Sequence, residues 1–172
     1  MKRLFITLCL LLVCSWAYAY DLTLKDTPVS VYFSPKGGGQ QAVVDVIGQA
    51  KESVYVQAYS FTSAPIAKAL VDAARRGVKV EAILDKSQRK ATYTGATFLR
   101  NEGIPVYIDV AHAIAHNKVM VVDGQTVVTG SFNFTKAAEE RNAENLLIIK
   151  DKGLARLYLE NWERHKEHSE EY

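Results

Sequence analysis

Residues 116–133 read HNKVMVVDGQTVVTGSFN. Two runs rich in apolar and β-branched residues, 117–122 and 125–129, flank the pair Asp123-Gly124. Such runs are typical of β-strands, and an Asp-Gly pair between them is typical of a tight hairpin turn. The segment therefore predicts two antiparallel strands joined by a short turn.

Polar side chains stand at both ends of this predicted hairpin. His116 and Lys118 are two residues apart, and so are Ser131 and Asn133. Side chains two apart on a strand point to the same face. Because the turn also reverses the chain, we expect all four side chains to converge. A nucleophile, a cation and neutral hydrogen-bond donors around one point suit a tetrahedral anion such as a phosphodiester.

A phosphodiester resists hydrolysis because its negative charge repels nucleophiles and its alkoxide leaves poorly. A neutral imidazole that attacks phosphorus splits this displacement into two easier ones, through a covalent intermediate. We assign that role to His116. In this interpretation Lys118, Asn133 and the Ser131 hydroxyl stabilise charge on the non-bridging oxygens.

The pattern H-x-K-x4-D followed by G-S-x-N is similar to the motif of the phospholipase D superfamily, and the chain resembles the small bacterial endonucleases of that family that carry one motif. The resemblance covers nearly all of the chain after the first 19 residues. It includes VYFSP at 31–35, AYSFT at 58–62, GSFNFTKAA at 130–138 and NAEN at 142–145. It implies the phospholipase D-like fold, phosphohistidine chemistry, and independence of metal ions and cofactors.

Two acidic residues complete the candidate catalytic set. Glu144 matches the position at which the similar nucleases place a carboxylate that orients the histidine ring, and such a partner selects one tautomer of the imidazole. Asp123 belongs to the motif, but its place beside Gly124 at the end of a hairpin indicates that it supports the turn and its neighbours.

One imidazole cannot both attack phosphorus and protonate the leaving oxygen on the far side. Larger family members carry two copies of the motif, whereas this chain carries one. We therefore predict a two-fold homodimer in which both copies of His116 face one shared site.

The first 19 residues have the features of a secretory signal peptide. A basic start precedes the apolar stretch 4–13, and Ala17 and Ala19 form an A-x-A cleavage pattern. A lipoprotein anchored through Cys14 is a weaker alternative, because bulky residues precede this cysteine. We expect an exported protein, periplasmic or secreted, whose phosphodiesterase domain spans 20–172 without stable membrane insertion.

Bulk charge does not indicate a nucleic-acid partner. The chain has 21 Lys and Arg residues and 19 Asp and Glu residues, and the leader holds two of the basic residues and none of the acidic ones. The domain is therefore formally neutral, so DNA or RNA would need local basic patches. Both cysteines, Cys9 and Cys14, fall in the leader.

Alternating β-branched runs and longer helical patterns predict an α/β fold, namely a single-domain mixed β-sheet flanked by helices on both faces. The predicted strands are 29–33, 53–59, 78–84, 104–108, 117–122, 125–129 and 144–149. The predicted helices are 40–50, 64–76, 96–101 and 152–166.

Basic and aromatic side chains near predicted strand ends are candidates for holding substrate. Lys86, Arg89 and Lys90 follow a predicted strand, at the edge where α/β proteins usually bind ligands. A charged loop of this kind can equally be plain solvated surface. Tyr59 and Phe61 are candidates for stacking on bases, with core packing as the alternative for at least one of them.

The remaining histidines, His112, His165 and His168, are interpreted as ordinary polar residues, the last two at a solvated helix end. A zinc site that pairs His112 with His116 is disfavoured, because no adjacent Glu, thiolate or carboxylate cluster completes it. We therefore assign no metal ligand. Gly37-Gly38-Gly39 lacks the spacing of a phosphate-binding loop and is interpreted as flexible.

The favoured function is a non-specific endonuclease for DNA, with RNA as a further substrate, because the resemblance spans the chain and no base-recognition module is apparent. The alternative is a phospholipid head-group phosphodiesterase, since the same groups serve both ester classes. We find no apolar docking surface for a lipid after the leader. A binding module without turnover is disfavoured, because a binder has no need of a neutral nucleophile.

Overall fold

Eight strands form one mixed sheet in the residues that the computed structural model describes, 19–89 and 95–172. In chain order they are β1 (Val29–Phe33), β2 (Ser53–Ala58), β3 (Lys79–Asp85), β4 (Val106–Asp109), β5 (Lys118–Val122), β6 (Thr126–Gly130), β7 (Asn145–Lys150) and β8 (Ser169–Glu171). Across the sheet the order is β1-β7-β6-β5-β2-β3-β4-β8. Strands β2, β3 and β4 run parallel, and the other neighbours pair antiparallel.

Helices cover both faces of this sheet. Within residues 19–89 and 95–172, the helices are α1 (Gly39–Gln49), α2 (Ala64–Arg75), α3 (Gly95–Asn101), α4 (Lys136–Glu140) and α5 (Lys152–Glu167), with a 3-10 turn at Lys86–Arg89. The first three bury Val43, Leu70 and Leu99 in the main core on one face. On the other face, α5 packs Ala155 against Val121. The predicted α/β fold with a mixed sheet and helices on both faces is confirmed.

The strand sequences account for this two-sided cover. All five residues of β5 are buried, as expected for a central strand with apolar layers on both faces. Helix α2 begins and ends at ordinary signals. The Ser63 side chain caps α2 by accepting a hydrogen bond from the Ile66 N–H, and Gly77 follows the helix at a φ of 91°, which glycine adopts without strain.

One short strand and one short α-helix are absent from the predictions. Strand β8 is the polar tripeptide Ser169–Glu171, and it pairs with β4. Backbone pairing of so short a polar segment leaves no alternating pattern in the sequence. Helix α4 has five residues, too few to show a helical period. The predicted signal peptide, apart from residue 19, lies outside the described residues.

The hairpin between β5 and β6 has the predicted tight turn. Asp123 and Gly124 have φ values of 52° and 59°, and the Gln125 N–H donates to the Val122 carbonyl at 3.1 Å. Asp and Gly are among the residues that tolerate this left-handed region. The pair therefore reverses the chain in the way that the sequence indicates.

The Asp123 carboxylate also ties the hairpin to the start of β2. It accepts hydrogen bonds from the backbone N–H groups of Lys51, Glu52 and Ser53 at 2.8–3.2 Å. Burial raises the pKa of Asp123, but these backbone donors outweigh it and hold the pKa below its usual value. The residue supports its neighbours, at the opposite end of β5 from the histidine motif.

The glycine-rich segment before α1 is anchored by an internal carboxylate. Glu139 accepts hydrogen bonds from the N–H groups of Gly38, at 3.0 Å, and Gln40, at 2.8 Å. The carboxylate therefore ties this loop to α4. The two N–H groups, at the amino end of α1, are thus already engaged by a carboxylate of the chain itself.

Replacing Asp123 with asparagine should lower stability. Asn tolerates the positive φ but removes the charge that strengthens the three backbone hydrogen bonds, so we expect a loss of about 1–3 kcal/mol at pH 7. Because the folded-state pKa of Asp123 is depressed, its contribution is present above the unfolded-state pKa and is lost as the pH falls through the folded-state value.

Urea unfolding of Asp123→Asn and of the native chain at pH 7 and at pH 3 measures this difference. The difference between the two free energies of unfolding should be smaller at the lower pH. Asp21→Asn, at an exposed position, is the control and should match the native chain at both values. A stability gap that is independent of pH would contradict the assigned role.

Candidate active site

The candidate active site lies where β2 and β6 end and where β5 and β7 begin. Ala58 at the end of β2 lies opposite Lys118 at the start of β5. Gly130 at the end of β6 lies opposite Leu146 near the start of β7. Antiparallel pairing thus brings the H-x-K segment and the G-S-x-N segment to one edge of the sheet.

Lys118 is a buried cation in this site. Its side chain points back so that Nζ donates to the His116 carbonyl at 2.9 Å, and Nζ lies 5.1 Å from the centre of the Tyr59 ring. Burial lowers the pKa of Lys118, while the charge of Glu144 opposes this shift. The chain therefore holds an ammonium group in place with few alternative positions.

His116 is exposed, and its ring packs on Tyr59. The two ring centroids are 4.7 Å apart and the planes are tilted by 56°. The Tyr59 N–H donates to the Asn117 carbonyl at 2.8 Å, which keeps the tyrosine beside the motif. An imidazole with this exposure is accessible to a phosphorus atom that approaches from solvent.

Glu144 is hydrogen-bonded to neutral side chains. Its carboxylate accepts from Ser131 Oγ at 2.6 Å and from Asn142 Nδ2 at 2.9 Å. Its own N–H donates to Ser34 Oγ at 3.1 Å, and the Asn145 N–H donates to Ser131 Oγ at 3.0 Å. The Ser131 proton is thus committed to Glu144, so in this arrangement the hydroxyl positions the carboxylate.

The Gly130 position requires glycine. Its φ is 142°, and a Cβ there would overlap the carbonyl oxygen of Asn145. Close approach of β6 and β7 at this point brings Ser131 within reach of Glu144. Farther along the loop, Phe132 and Phe134 are buried anchors, and Asn133 Oδ1 is buried with no hydrogen-bond partner among the described residues.

The predicted catalytic residues therefore do not all come together. Lys118, Ser131 and Glu144 share one edge of the sheet with His116. Asp123 follows β5 at its other end, five residues from Lys118, or roughly 17 Å at the rise of an extended strand.

The predicted substrate-binding residues take different places. Lys86 and Arg89 are exposed, but Lys86 Nζ donates to the His112 carbonyl and Arg89 pairs with Glu170. Lys90 lies outside the described residues. Phe61 is fully buried and packs edge-on against Phe134. A ring with no exposed surface cannot stack on a base, so Phe61 is corrected to a core residue.

The structure groups the other three histidines, and His112 and His165 are hydrogen-bonded polar residues, as predicted. His112, His165 and His168 surround the buried carboxylate of Asp109. Burial raises the pKa of Asp109, but hydrogen bonds from His165 and His112 outweigh it and lower the pKa to about 2. The available signal was the repeated spacing D-x-x-H and H-x-x-H. The meeting of the two segments depends on the pairing of β4 with β8.

Known proteins that are similar to this chain identify its family. A family model described as cardiolipin synthase, PLD-like domain, matches residues 43–166. A protein named phospholipase D from Rickettsia conorii is 46% identical over 139 residues, which cover 81% of this chain and 70% of the relative. A mitochondrial cardiolipin hydrolase from Xenopus laevis is 35% identical over 122 residues, which cover 71% of this chain and 58% of that relative.

Solved structures agree with these relatives. Nuc from Salmonella typhimurium, a phospholipase D family member, superposes with a TM-score of 0.82 at 40% identity, covering 86% of this chain and 99% of that chain. NucT from Helicobacter pylori superposes with a TM-score of 0.80 at 25% identity, covering 86% of this chain and all of that chain. Given a family model over most of its length and relatives of this identity, the chain belongs to the phospholipase D superfamily and is a phosphodiesterase with one copy of the motif.

Proposed function

We propose that this protein is an exported endonuclease that cleaves DNA, and RNA as a further substrate, through a covalent phosphohistidine in a site shared by two protomers. The observation that supports this proposal most is the exposed imidazole of His116 beside the buried ammonium of Lys118. The first is free to attack, and the second is a cation held in place before substrate arrives.

In the first step, a ring nitrogen of His116 attacks phosphorus. A P–N bond forms, the P–O bond to the leaving group breaks, and the leaving oxygen takes a proton from an acid on the opposite side. The acid of the first step has then lost its proton and can act as a base. In the second step, water gives a proton to this base and attacks phosphorus, and the P–N bond breaks. No metal ion takes part in either displacement.

Charge stabilisation in both steps is assigned to Lys118 and Asn133. The Lys118 ammonium group is held by its hydrogen bond to the His116 carbonyl. Asn133 lies on the loop after β6, and its side-chain NH₂ group is the part that can donate hydrogen bonds to an anionic oxygen. Ser131 positions the Glu144 carboxylate through a hydrogen bond, and the charge of Glu144 favours the protonated form of Lys118.

The second histidine is assigned to a partner protomer. His112, His165 and His168 are engaged with Asp109, so within the described chain they are not candidates for the acid opposite His116. A two-fold axis beside the exposed His116 would supply an identical imidazole on the far side of phosphorus. The catalytic unit in this proposal is the dimer.

Nucleic acid is the favoured substrate because of the sequence resemblance to single-motif endonucleases. Lys86 and Arg89 are exposed cations on the loop after β3, at the same edge of the sheet as the motif. Both already contact the chain, so a polyanion would have to compete with Glu170 for Arg89. Phosphate contacts of this kind confer affinity without reading sequence.

A phospholipid head-group phosphodiesterase is the second candidate, and one observation favours it. Strand β1 exposes Val29, Val31 and Phe33, which are 45%, 50% and 69% accessible. This corrects the expectation that no apolar docking surface follows the leader. The relatives named phospholipase D and cardiolipin hydrolase point in the same direction.

Export is proposed from the leader sequence alone. Within the described residues, no helix combines the length and the apolar composition that crossing a bilayer requires. Periplasmic and fully secreted forms are both compatible with the proposal.

Assays with plasmid DNA, RNA and phospholipid vesicles, each with and without EDTA, separate the two candidates. We expect nucleic-acid cleavage to persist in EDTA, at a temperature at which the EDTA-treated protein stays folded. Activity confined to phospholipid would replace the first candidate with the second. If EDTA-treated protein that is still folded no longer cleaves nucleic acid, metal-free chemistry is contradicted.

Replacing His116 with alanine should lower the turnover rate by a factor of at least roughly 10³, as loss of a nucleophile does in other covalent mechanisms. The dissociation constant for DNA should change little, because affinity comes mainly from phosphate contacts. Single-turnover kinetics and filter binding measure the two quantities. Retained turnover would remove His116 from the mechanism.

Mixing the native chain with His116→Ala protomers, tagged separately and refolded together, tests the shared site. If one site needs both histidines, an equal mixture should retain about one quarter of the native activity, since only native homodimers work. Independent sites in each protomer would retain about one half, and that result would contradict the dimeric mechanism.

Glu144→Gln should move the alkaline limb of the pH–rate profile. Lys118 must be protonated, so activity is lost as the pH rises through its pKa. Burial lowers that pKa and Glu144 raises it, so removing the carboxylate charge should shift the limb to lower pH. Glu163→Gln, at an exposed position of α5, is the control. An unmoved limb would show that Glu144 does not act on Lys118.

A further inference from the structure

Three imidazole rings converge on one buried carboxylate away from the motif. Asp109 ends β4, His112 follows in the next loop, and His165 and His168 come from the carboxyl end of α5. From the Asp109 Oδ2 atom, the distances are 2.9 Å to His112 Nδ1, 2.8 Å to His165 Nδ1 and 3.5 Å to His168 Nε2. The Asp109 side chain is completely inaccessible.

The four side chains have the arrangement of a metal-ligand set. One ligand atom from each residue lies within 4.8 Å of all the others. Tetrahedral Zn²⁺ with bonds of about 2.0–2.1 Å to nitrogen and oxygen requires ligand atoms roughly 3.4 Å apart. Small rotations of the partly exposed His112 and His168 rings, which are 47% and 36% accessible, would bring the set to that separation.

Hydrogen bonding alone leaves part of this cluster unexplained. Asp109 Oδ1 already accepts from the N–H groups of Ala111 and His112 at 3.2 and 3.3 Å. The imidazoles of His112 and His165 use further lone pairs, and a carboxylate offers about four. The third ring, His168, has its Nε2 atom 3.5 Å from Asp109 Oδ2, farther than the other two rings. One divalent cation would satisfy all four ligands at a single centre.

We propose that Asp109, His112, His165 and His168 bind one Zn²⁺ ion at a structural site separate from the phosphodiesterase centre. Three imidazole nitrogens and one carboxylate oxygen are a donor set that suits zinc. Four protein ligands leave no open position for substrate, which is the property of structural sites as opposed to catalytic ones.

The position of the site gives it a use. Residues 110–117 connect β4 with β5 and end at the motif. Their first part carries His112, and farther along the Ala115 N–H donates to the buried Asp85 carboxylate at 2.7 Å. The ion would fasten the beginning of this loop to α5, four residues before His116. It would stabilise the segment that presents the nucleophile and take no part in the displacement.

Metal content of the purified full-length domain tests the proposal. After reconstitution with Zn²⁺ and removal of the excess, we expect one equivalent per chain. Free Zn²⁺ at about 100 times its dissociation constant should raise the melting temperature by roughly 5–10 °C. Co²⁺ in its place should show the visible absorption of a tetrahedral site.

Three variants locate the ion. His112→Ala and His168→Ala change partly exposed rings, so both should fold, and each should weaken Zn²⁺ binding by at least about 100-fold, because loss of outer partners alone costs 10- to 100-fold. His116→Ala is the matched control, since it removes a histidine from the same loop. It should bind zinc as the native chain does while losing turnover.

Two results would overturn the proposal. One is a native chain that binds no stoichiometric zinc and whose melting temperature responds to pH but not to the metal, which would identify a hydrogen-bonded histidine cluster. The other is zinc binding that survives in His112→Ala and His168→Ala but is lost in His116→Ala. Neither readout depends on activity, so failure of the proposed nuclease function leaves this test intact.

Discussion

The buried ammonium of Lys118 is the constraint on which the arrangement of the active site depends. A cation removed from water is costly unless charge and hydrogen bonds compensate for the lost hydration. Here the compensation comes from the His116 carbonyl, the Tyr59 ring and the charge of Glu144. These groups belong to the ends of separate strands. The sheet order, with β5 between β2 and β6 and with β7 next to β6, is what places them around one ammonium group.

The same edge of the sheet holds two groups of polar residues with different roles. The motif lies at the ends of β2, β5, β6 and β7, whereas Asp109 and its histidines lie at the end of β4. The loop between β4 and β5 joins them and is held midway by Asp85. Asp123 lies at the opposite end of β5, where its carboxylate accepts a hydrogen bond from the first backbone N–H of β2.

Sequence reasoning succeeded where interactions are local or repeat with a regular period. The Asp123-Gly124 turn, the buried β5 and the helices on both faces follow from patterns within a few residues of one another. It failed where distant segments meet. The spacing H-x-x-H at 165–168 pairs two histidines but does not identify Asp109, which lies 56 residues before His165. Nothing adjacent to Phe61 shows that Phe134 covers it. Strand β8 is held by backbone pairing, which leaves no side-chain signal.

We propose two successive displacements at phosphorus: an imidazole first displaces the leaving oxygen, and water then displaces the imidazole. Each in-line displacement inverts the configuration at phosphorus, so two in succession restore it. Hydrolysis of a phosphorothioate diester of known configuration in ¹⁸O-labelled water measures this directly. The account predicts net retention of configuration. Net inversion would show a single direct attack by water and would contradict the phosphohistidine mechanism.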